Sequence, residues 1–214
     1  MSVEVVPAIL TDKVGDLKAK LKLIERFGAR KVQVDIADGK FVPNKTIGAG
    51  EISKVKTNLE IEAHLMVENP ERFVEVSAKA GVKTFIFHLE AAEDPKKIIT
   101  QVRKSGMKVG LALSPKTKVD FAEPYADDVD MIVFLSVEPG FQGRGFVIDV
   151  LDKIREFRNR FPASIIGIDG GVKLENFDLV EKSGVNEVVV GSGIWQAKNS
   201  DEAYKQFLNI AQNG

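Results

Sequence analysis

The sequence predicts an α/β protein with a (β/α)8 (TIM) barrel fold. Three observations carry this reading. Apolar runs of strand length recur eight times, and their ends fall about 26 residues apart, one strand and one helix each. The runs are almost uniformly apolar, as in Glu187-Val188-Val189-Val190, which suits parallel strands covered on the outside by helices. The 214 residues contain no linker, low-complexity tract or charge block, so 1–214 reads as one barrel domain at the short end of the usual size range. An open doubly wound sheet is the alternative. It would place a Gly-x-Gly-x-x-Gly turn after the first strand, where Pro7-Ala8-Ile9-Leu10 stands instead.

Taken in order, strands are expected over Val3–Ile9, Lys31–Ile36, Leu59–Leu65, Thr84–His88, Lys108–Leu113, Met131–Leu135, Ser164–Ile168 and Glu187–Val190. Between them lie amphipathic helical stretches with start and stop signals. Asn69-Pro70-Glu71 and Asp94-Pro95 each offer an N-cap followed by proline at the first helical position. Gly28, Gly81, Gly106 and Gly184 follow helical patterns and suit a left-handed C-cap. Each precedes a strand end (Asp35, His88, Leu113, Gly191) by seven residues, a weak internal repeat of the helix–turn–strand unit. Lys153, Arg155, Arg158 and Arg160 read as a solvated helix face, and Trp195 as a packing residue.

Composition narrows the function. Lys+Arg 30 against Asp+Glu 31 leaves a net charge of -1, with no electrostatic pull toward nucleic acid or membrane. No apolar run approaches bilayer length and no signal peptide is visible, so a cytoplasmic protein is expected. With Cys 0, thiolate nucleophiles, disulfides and cysteine-ligated metals are excluded.

Catalytic groups of such a barrel come from the C-terminal ends of the strands and the loops after them. The strand ends carry Gln33 and Asp35, which share a face by the period of two, then Glu62 and His64, then His88, then Asp169. Asp35 and Asp169 are the sharpest pair. Their strands lie three places apart around the ring, so two carboxylates can face a small substrate, one abstracting a proton and one delivering it. Glu62 reads either as a buried acceptor for a neighbouring histidine or lysine, or as a structural group. Three glycine clusters follow the last strands: Gly140-Phe141-Gln142-Gly143-Arg144-Gly145, Gly170-Gly171 and Gly191-Ser192-Gly193. That is where barrels bind phosphate through backbone N–H groups, and Arg144 would add a charge.

These strand ends resemble the ribulose-phosphate 3-epimerase family. The matching pieces are Val34-Asp35-Ile36-Ala37-Asp38-Gly39-Lys40-Phe41-Val42-Pro43-Asn44, His64-Leu65-Met66-Val67-Glu68-Asn69-Pro70 and His88-Leu89-Glu90-Ala91. Ser136-Val137-Glu138-Pro139-Gly140-Phe141, Asp169-Gly170-Gly171-Val172 and Gly191-Ser192-Gly193-Ile194 complete the set, in the family's order and across nearly the whole chain. The resemblance implies epimerisation of a ketopentose phosphate at carbon 3, interconverting D-ribulose 5-phosphate and D-xylulose 5-phosphate through a cis-enediolate. Asp35 matches the proton acceptor and Asp169 the donor. Asp35, His64 and Asp169 match ligands of a divalent metal (zinc, iron, manganese, cobalt or magnesium). His64, Gly140, Phe141, Gln142, Gly143, Gly170, Gly171, Gly191 and Ser192 match the substrate and phosphate contacts.

The departures are specific. Gln33 stands where the family has a fourth, histidine ligand, and Ala8 where it has a serine. Ala37 and Leu135 replace methionines; Gln142 replaces a glycine and Arg144 a glutamine. These changes leave two further expectations open, a metal-depleted phosphosugar-binding barrel and an epimerase of a ketohexose 6-phosphate. The expected partner is a phosphorylated ketose, in a monomer or a homo-oligomer. The Asp-x-Lys-x-x-Asp pattern of related decarboxylases and synthases is missing, since Asp35-Ile36-Ala37-Asp38 has no lysine between its aspartates.

Overall fold

The computed structural model describes residues 3–139 and 145–213. Eight strands close into a parallel barrel in sequence order, with the last pairing back onto the first. They are β1 (Glu4–Leu10), β2 (Lys31–Ala37), β3 (Glu60–Met66), β4 (Thr84–His88), β5 (Lys108–Leu113), β6 (Met131–Leu135), β7 (Ile166–Asp169) and β8 (Glu187–Val190). The helices outside include α1 (Val14–Phe27), α2 (Ala49–Ile52), α3 (Val74–Lys79), α4 (Pro95–Lys104), α5 (Val150–Arg160), α6 (Leu174–Glu181), α7 (Ser192–Trp195) and α8 (Ser200–Asn213). The doubly wound alternative is thereby excluded. Among the described residues no helix is long and apolar enough to cross a membrane.

Strand alternation divides the core in two. On β2, Val32, Val34 and Ile36 point outward and join the main apolar layer beneath the helices. Lys31, Gln33 and Asp35 occupy the alternate, interior positions. Inside the barrel a smaller plug of Ile86, Ala112, Met131, Val133 and Leu135 fills the middle. Gly110 and Gly167 make room for it: a Cβ at Gly110 would lie 2.7 Å from Ile86 Cγ1, and one at Gly167 would lie 3.2 Å from Met131 Cε. This apolar plug separates two polar ends.

Local signals act largely as expected. Gly28, Gly81, Gly106 and Gly184 all have positive φ, and the Asp94 side chain caps α4 by accepting from Lys97 N–H. Asn69 does not cap. It sits in the left-handed region (φ 52) and leads into a 3-10 turn over Pro70–Phe73. Strand β7 begins at Ile166 rather than Ser164; the Ser164 N–H closes a turn onto Phe161 O and its carbonyl accepts from Arg158.

The expected solvated face of α5 is also corrected. Arg158 further bonds Gly184 O and Asn186 Oδ1, while Lys153 donates to the carbonyls of Pro115 and Thr117. Arg155 and Arg160 do form surface pairs. Trp195 packs beside Phe27, as expected, and its indole N–H donates to Ala8 O across the β8–β1 seam.

Candidate active site

The C-terminal mouth of the barrel gathers Gln33, Asp35, His64, His88 and Asp169 from four strands. The β2 loop holds its shape through Asp38 of the Asp-x-x-Asp-Gly segment. Its Oδ1 accepts from the N–H groups of Lys40 and Phe41, its Oδ2 from Glu68 N–H. Partial burial works against this carboxylate, but those donors hold it below the usual range. Thr46 donates to Asp35 O and accepts from Ala37 N–H, fixing the strand end that carries Asp35.

The centre is tight. Gln33 Nε2 donates to Asp35 Oδ1 and to Asp169 Oδ2, each at 2.8 Å, and lies 3.4 Å from His64 Nδ1. His64 Nδ1 is 3.2 Å from Asp35 Oδ1 and 3.3 Å from Asp169 Oδ2. Gln33 is 0 % exposed and Asp35 6 %, and Asp169 is partly open toward the mouth. The two carboxylates therefore meet more closely than a pair facing across a substrate would.

Electrostatics follow from this crowding. Burial pushes the Asp35 carboxyl up, and the Asp169 charge adds to it, against hydrogen bonds from His64 and Gln33. Burial opposes a charged ring at His64, but hydrogen bonds and charges of Asp169 and Asp35 push it up to about 9. His88, fully buried, is pushed down first by burial and then by the charge of His64.

Asp35, His64 and Asp169 each offer a donor atom, all within 4.8 Å of one another, a convergence that fits a divalent cation. Gln33 bears on the fit. Its amide nitrogen addresses these donors, while its Oε1 is buried with no hydrogen-bond partner among the described residues. Turning the amide would exchange the two and aim an oxygen at an ion. The donor set fits a metal on that condition.

A narrow cleft runs from this centre to the glycine turns. Ala8, Leu10, Met66, Leu135, Val137 and Val172 supply its apolar walls, and Gly170, Gly171, Gly191 and Ser192 its far end. Gly170 has φ 105, and a Cβ there would lie 2.4 Å from Val137 Cγ2, so only glycine fits this turn. Gly193 is a packing glycine, its virtual Cβ 3.0 Å from Phe207 Cζ. Gly140, Phe141, Gln142, Gly143 and Arg144 of the expected phosphate loop lie outside the described residues.

Two expectations shift. Glu62 shares the interior face with His64 but stands at the opposite end of the barrel, where Glu62 Oε1 lies 3.4 Å from Lys31 Nζ. It serves the lysine and not the site. Glu90, to which the sequence reading gives no role of its own, is a member of the network: its Oε2 is 3.3 Å from His88 Nδ1. The two-residue spacing to His88 was the available signal.

Fold and site define a barrel enzyme with paired interior carboxylates beside a rim of glycine turns. The family model described as "Ribulose-phosphate 3 epimerase family" matches residues 4–195. The chain belongs to that family, and it is an isomerase of the epimerase type. It is 37% identical to ribulose-phosphate 3-epimerase of Synechocystis, over 97% of this chain and 94% of that one. Identity to the Bacillus subtilis enzyme of the same name is 34%, over 96% of this chain and 98% of that one. Among solved structures, KGPDC from Streptococcus mutans superposes with a TM-score of 0.76 at 13% identity, covering 99% of this chain and 98% of that one. At that identity the likeness is one of fold.

Proposed function

We propose that the protein interconverts D-ribulose 5-phosphate and D-xylulose 5-phosphate by proton transfer between two aspartates. The observation that carries this is the convergence of Asp35 and Asp169 at the head of the cleft whose far end is built from glycine turns. The substrate phosphate rests on the Gly170–Gly171 and Gly191–Ser192 backbones, remote binding that places carbon 3 beside the carboxylates. Asp35, as carboxylate, takes the proton from carbon 3, and the electron pair moves onto the carbon 2 oxygen to give an enediolate. Asp169, as acid, returns a proton to the opposite face of carbon 3. One proton leaves Asp169 and one is gained by Asp35, so the reverse direction uses the opposite starting state. Asp35, His64 and Asp169, with Gln33 turned, would hold a divalent ion that supplies Lewis-acid polarisation of the carbonyl. Met66 and Leu135 line the cleft and exclude water from the developing charge.

Asp35→Asn and Asp169→Asn are each expected to lower kcat by about 10²–10⁴-fold with the fold intact. Each variant should still exchange the carbon 3 proton of one epimer with deuterated solvent through its remaining carboxylate. Full epimerase activity in either variant would remove that residue from the reaction.

The Gln33 amide, seated among all three donors, favours a second reading, a phosphosugar-binding barrel with little metal and little turnover. Phosphosugar binding by the purified protein, without turnover when Mn²⁺ is added, would establish it instead.

A further inference from the structure

The chain has His 2, and both rings belong to one hydrogen-bonded line. His64 turns Nδ1 toward the aspartates, and its Nε2 is 2.9 Å from Nε2 of His88. Two ring nitrogens at that distance require one donor and one acceptor. The other side of His88 decides which is which. His88 Nδ1 faces Glu90 Oε2 at 3.3 Å, while Glu90 Oε1 accepts from Ser114 N–H at 2.8 Å and from the Thr117 hydroxyl. The two donors on Oε1, a backbone N–H and a hydroxyl, favour the ionised, acceptor-only form of Glu90 against its burial, and an accepting Oε2 requires a proton on His88 Nδ1. A neutral His88 ring then presents a bare Nε2, and His64 Nε2 must donate to it. Phe41 lies against the His88 ring at 4.9 Å between centroids.

We infer that His88 and Glu90 are positioning residues: they fix the hydrogen-bond polarity of His64, keeping its Nε2 protonated and its Nδ1 the atom offered to a divalent ion beside Asp35 and Asp169. The inference rests on the metal reading of the site given above. Its chemical basis is general, since a ligating imidazole is oriented by the partner of its other nitrogen, here a second histidine anchored by a carboxylate. The anchor also ties the site to the loop after β5. Glu90 joins Ser114 and Thr117, whose carbonyl in turn accepts from Lys153 of α5.

The test uses protein labelled with ¹⁵N-histidine, whose two rings give two readable sets of nitrogen shifts. The parent is expected to show His88 as the Nδ1–H tautomer and His64 with Nε2 protonated, before and after loading with Zn²⁺. Glu90→Gln is nearly isosteric. Its oxygen stays with Ser114 and Thr117, so its amide N–H turns to His88 Nδ1 and reverses the line. With its Nε2 now the acceptor, His64 must keep its remaining proton on Nδ1, and Mn²⁺ affinity measured by calorimetry should fall about 10–100-fold with the melting temperature little changed. His88→Gln, which places an amide oxygen near the former Nε2, should hold affinity close to the parent. An Nε2–H tautomer at His88 in the parent, or parental shifts and affinity in Glu90→Gln, would overturn the inference. A parent that binds no Mn²⁺ overturns the metal role of the line and the metal reading together. Parental binding that Glu90→Gln leaves unchanged overturns the positioning role alone.

Discussion

Gln33 is the residue on which the site's chemistry turns. Its Nε2 fills the point where the donors of Asp35, Asp169 and His64 converge, at 2.8, 2.8 and 3.4 Å. A buried acceptor without a partner, as at Gln33 Oε1, costs about 1–3 kcal/mol. The present amide orientation accepts that cost in exchange for two donor bonds to carboxylates. An ion at the same point reverses the preference, because Oε1 becomes a ligand and the N–H groups would repel it. Amide oxygen is a harder and weaker donor than imidazole, so oxygen-preferring ions such as Mg²⁺ and Mn²⁺ should compete well here against zinc. Gln33→His is expected to raise zinc affinity on the order of 10–100-fold, read by competition with a chelating dye, and to raise turnover with it. Unchanged zinc affinity would show that Asp35, His64 and Asp169 are not the ligands assigned here.

At the scale of elements, the glycine turns separate backbone need from packing need. Gly28 has φ 81 with no atom within 4 Å of a virtual Cβ, so Gly28→Ala should cost only the left-handed penalty of about 1–2 kcal/mol. Gly170 has φ 105, and a Cβ added there would also run into Val137 Cγ2. Gly170→Ala should therefore destabilise more than Gly28→Ala in urea unfolding and displace the β6 loop; equal losses would show that loop to be loosely packed. Such elements are legible in sequence where one residue type satisfies one local demand, as the four C-cap glycines do. Asp35, His64 and Asp169 were legible because a polar residue inside an apolar strand declares the barrel interior. Asn69 misled because its φ 52 is set by the turn it enters, which the Asn-Pro pair alone does not reveal. Glu90 escaped a role because its partners, Ser114 and Thr117, lie 24 and 27 residues away.

The whole molecule closes at its N-terminal end through a cluster that sequence alone disguises as ordinary strand-flanking charge. Lys31 Nζ lies 2.6 Å from Glu187 Oε2, 3.0 Å from Glu4 Oε2 and 3.4 Å from Glu62 Oε1, linking β8, β1, β2 and β3 across the seam of the barrel. Glu62 and Glu187 are each 2 % exposed, and each keeps one buried oxygen without a hydrogen-bond partner among the described residues. Burial first, then the charge of Glu62, push Glu187 up to about 8 against the pull of Lys31. Buried beside the Glu62 charge, Glu187 therefore holds a proton more readily than a free carboxyl does. A carboxyl raised on folding makes the native state the better proton binder between the unfolded value, 4.5, and about 8. Over that interval stability falls as pH rises, because the native protein must give up a proton that the unfolded chain has already lost. Lys31, itself raised, stays charged throughout and leaves the sign unchanged. Glu187→Gln retains an oxygen for Lys31 and an N–H for Glu62 while removing the titration. Thermal unfolding of the two proteins from pH 5 to pH 8 should therefore show a declining parent and a flatter variant, crossing so that the variant is the more stable at pH 8. Parallel curves would mean that Glu187 is ionised throughout and that the seam holds three carboxylates around one lysine.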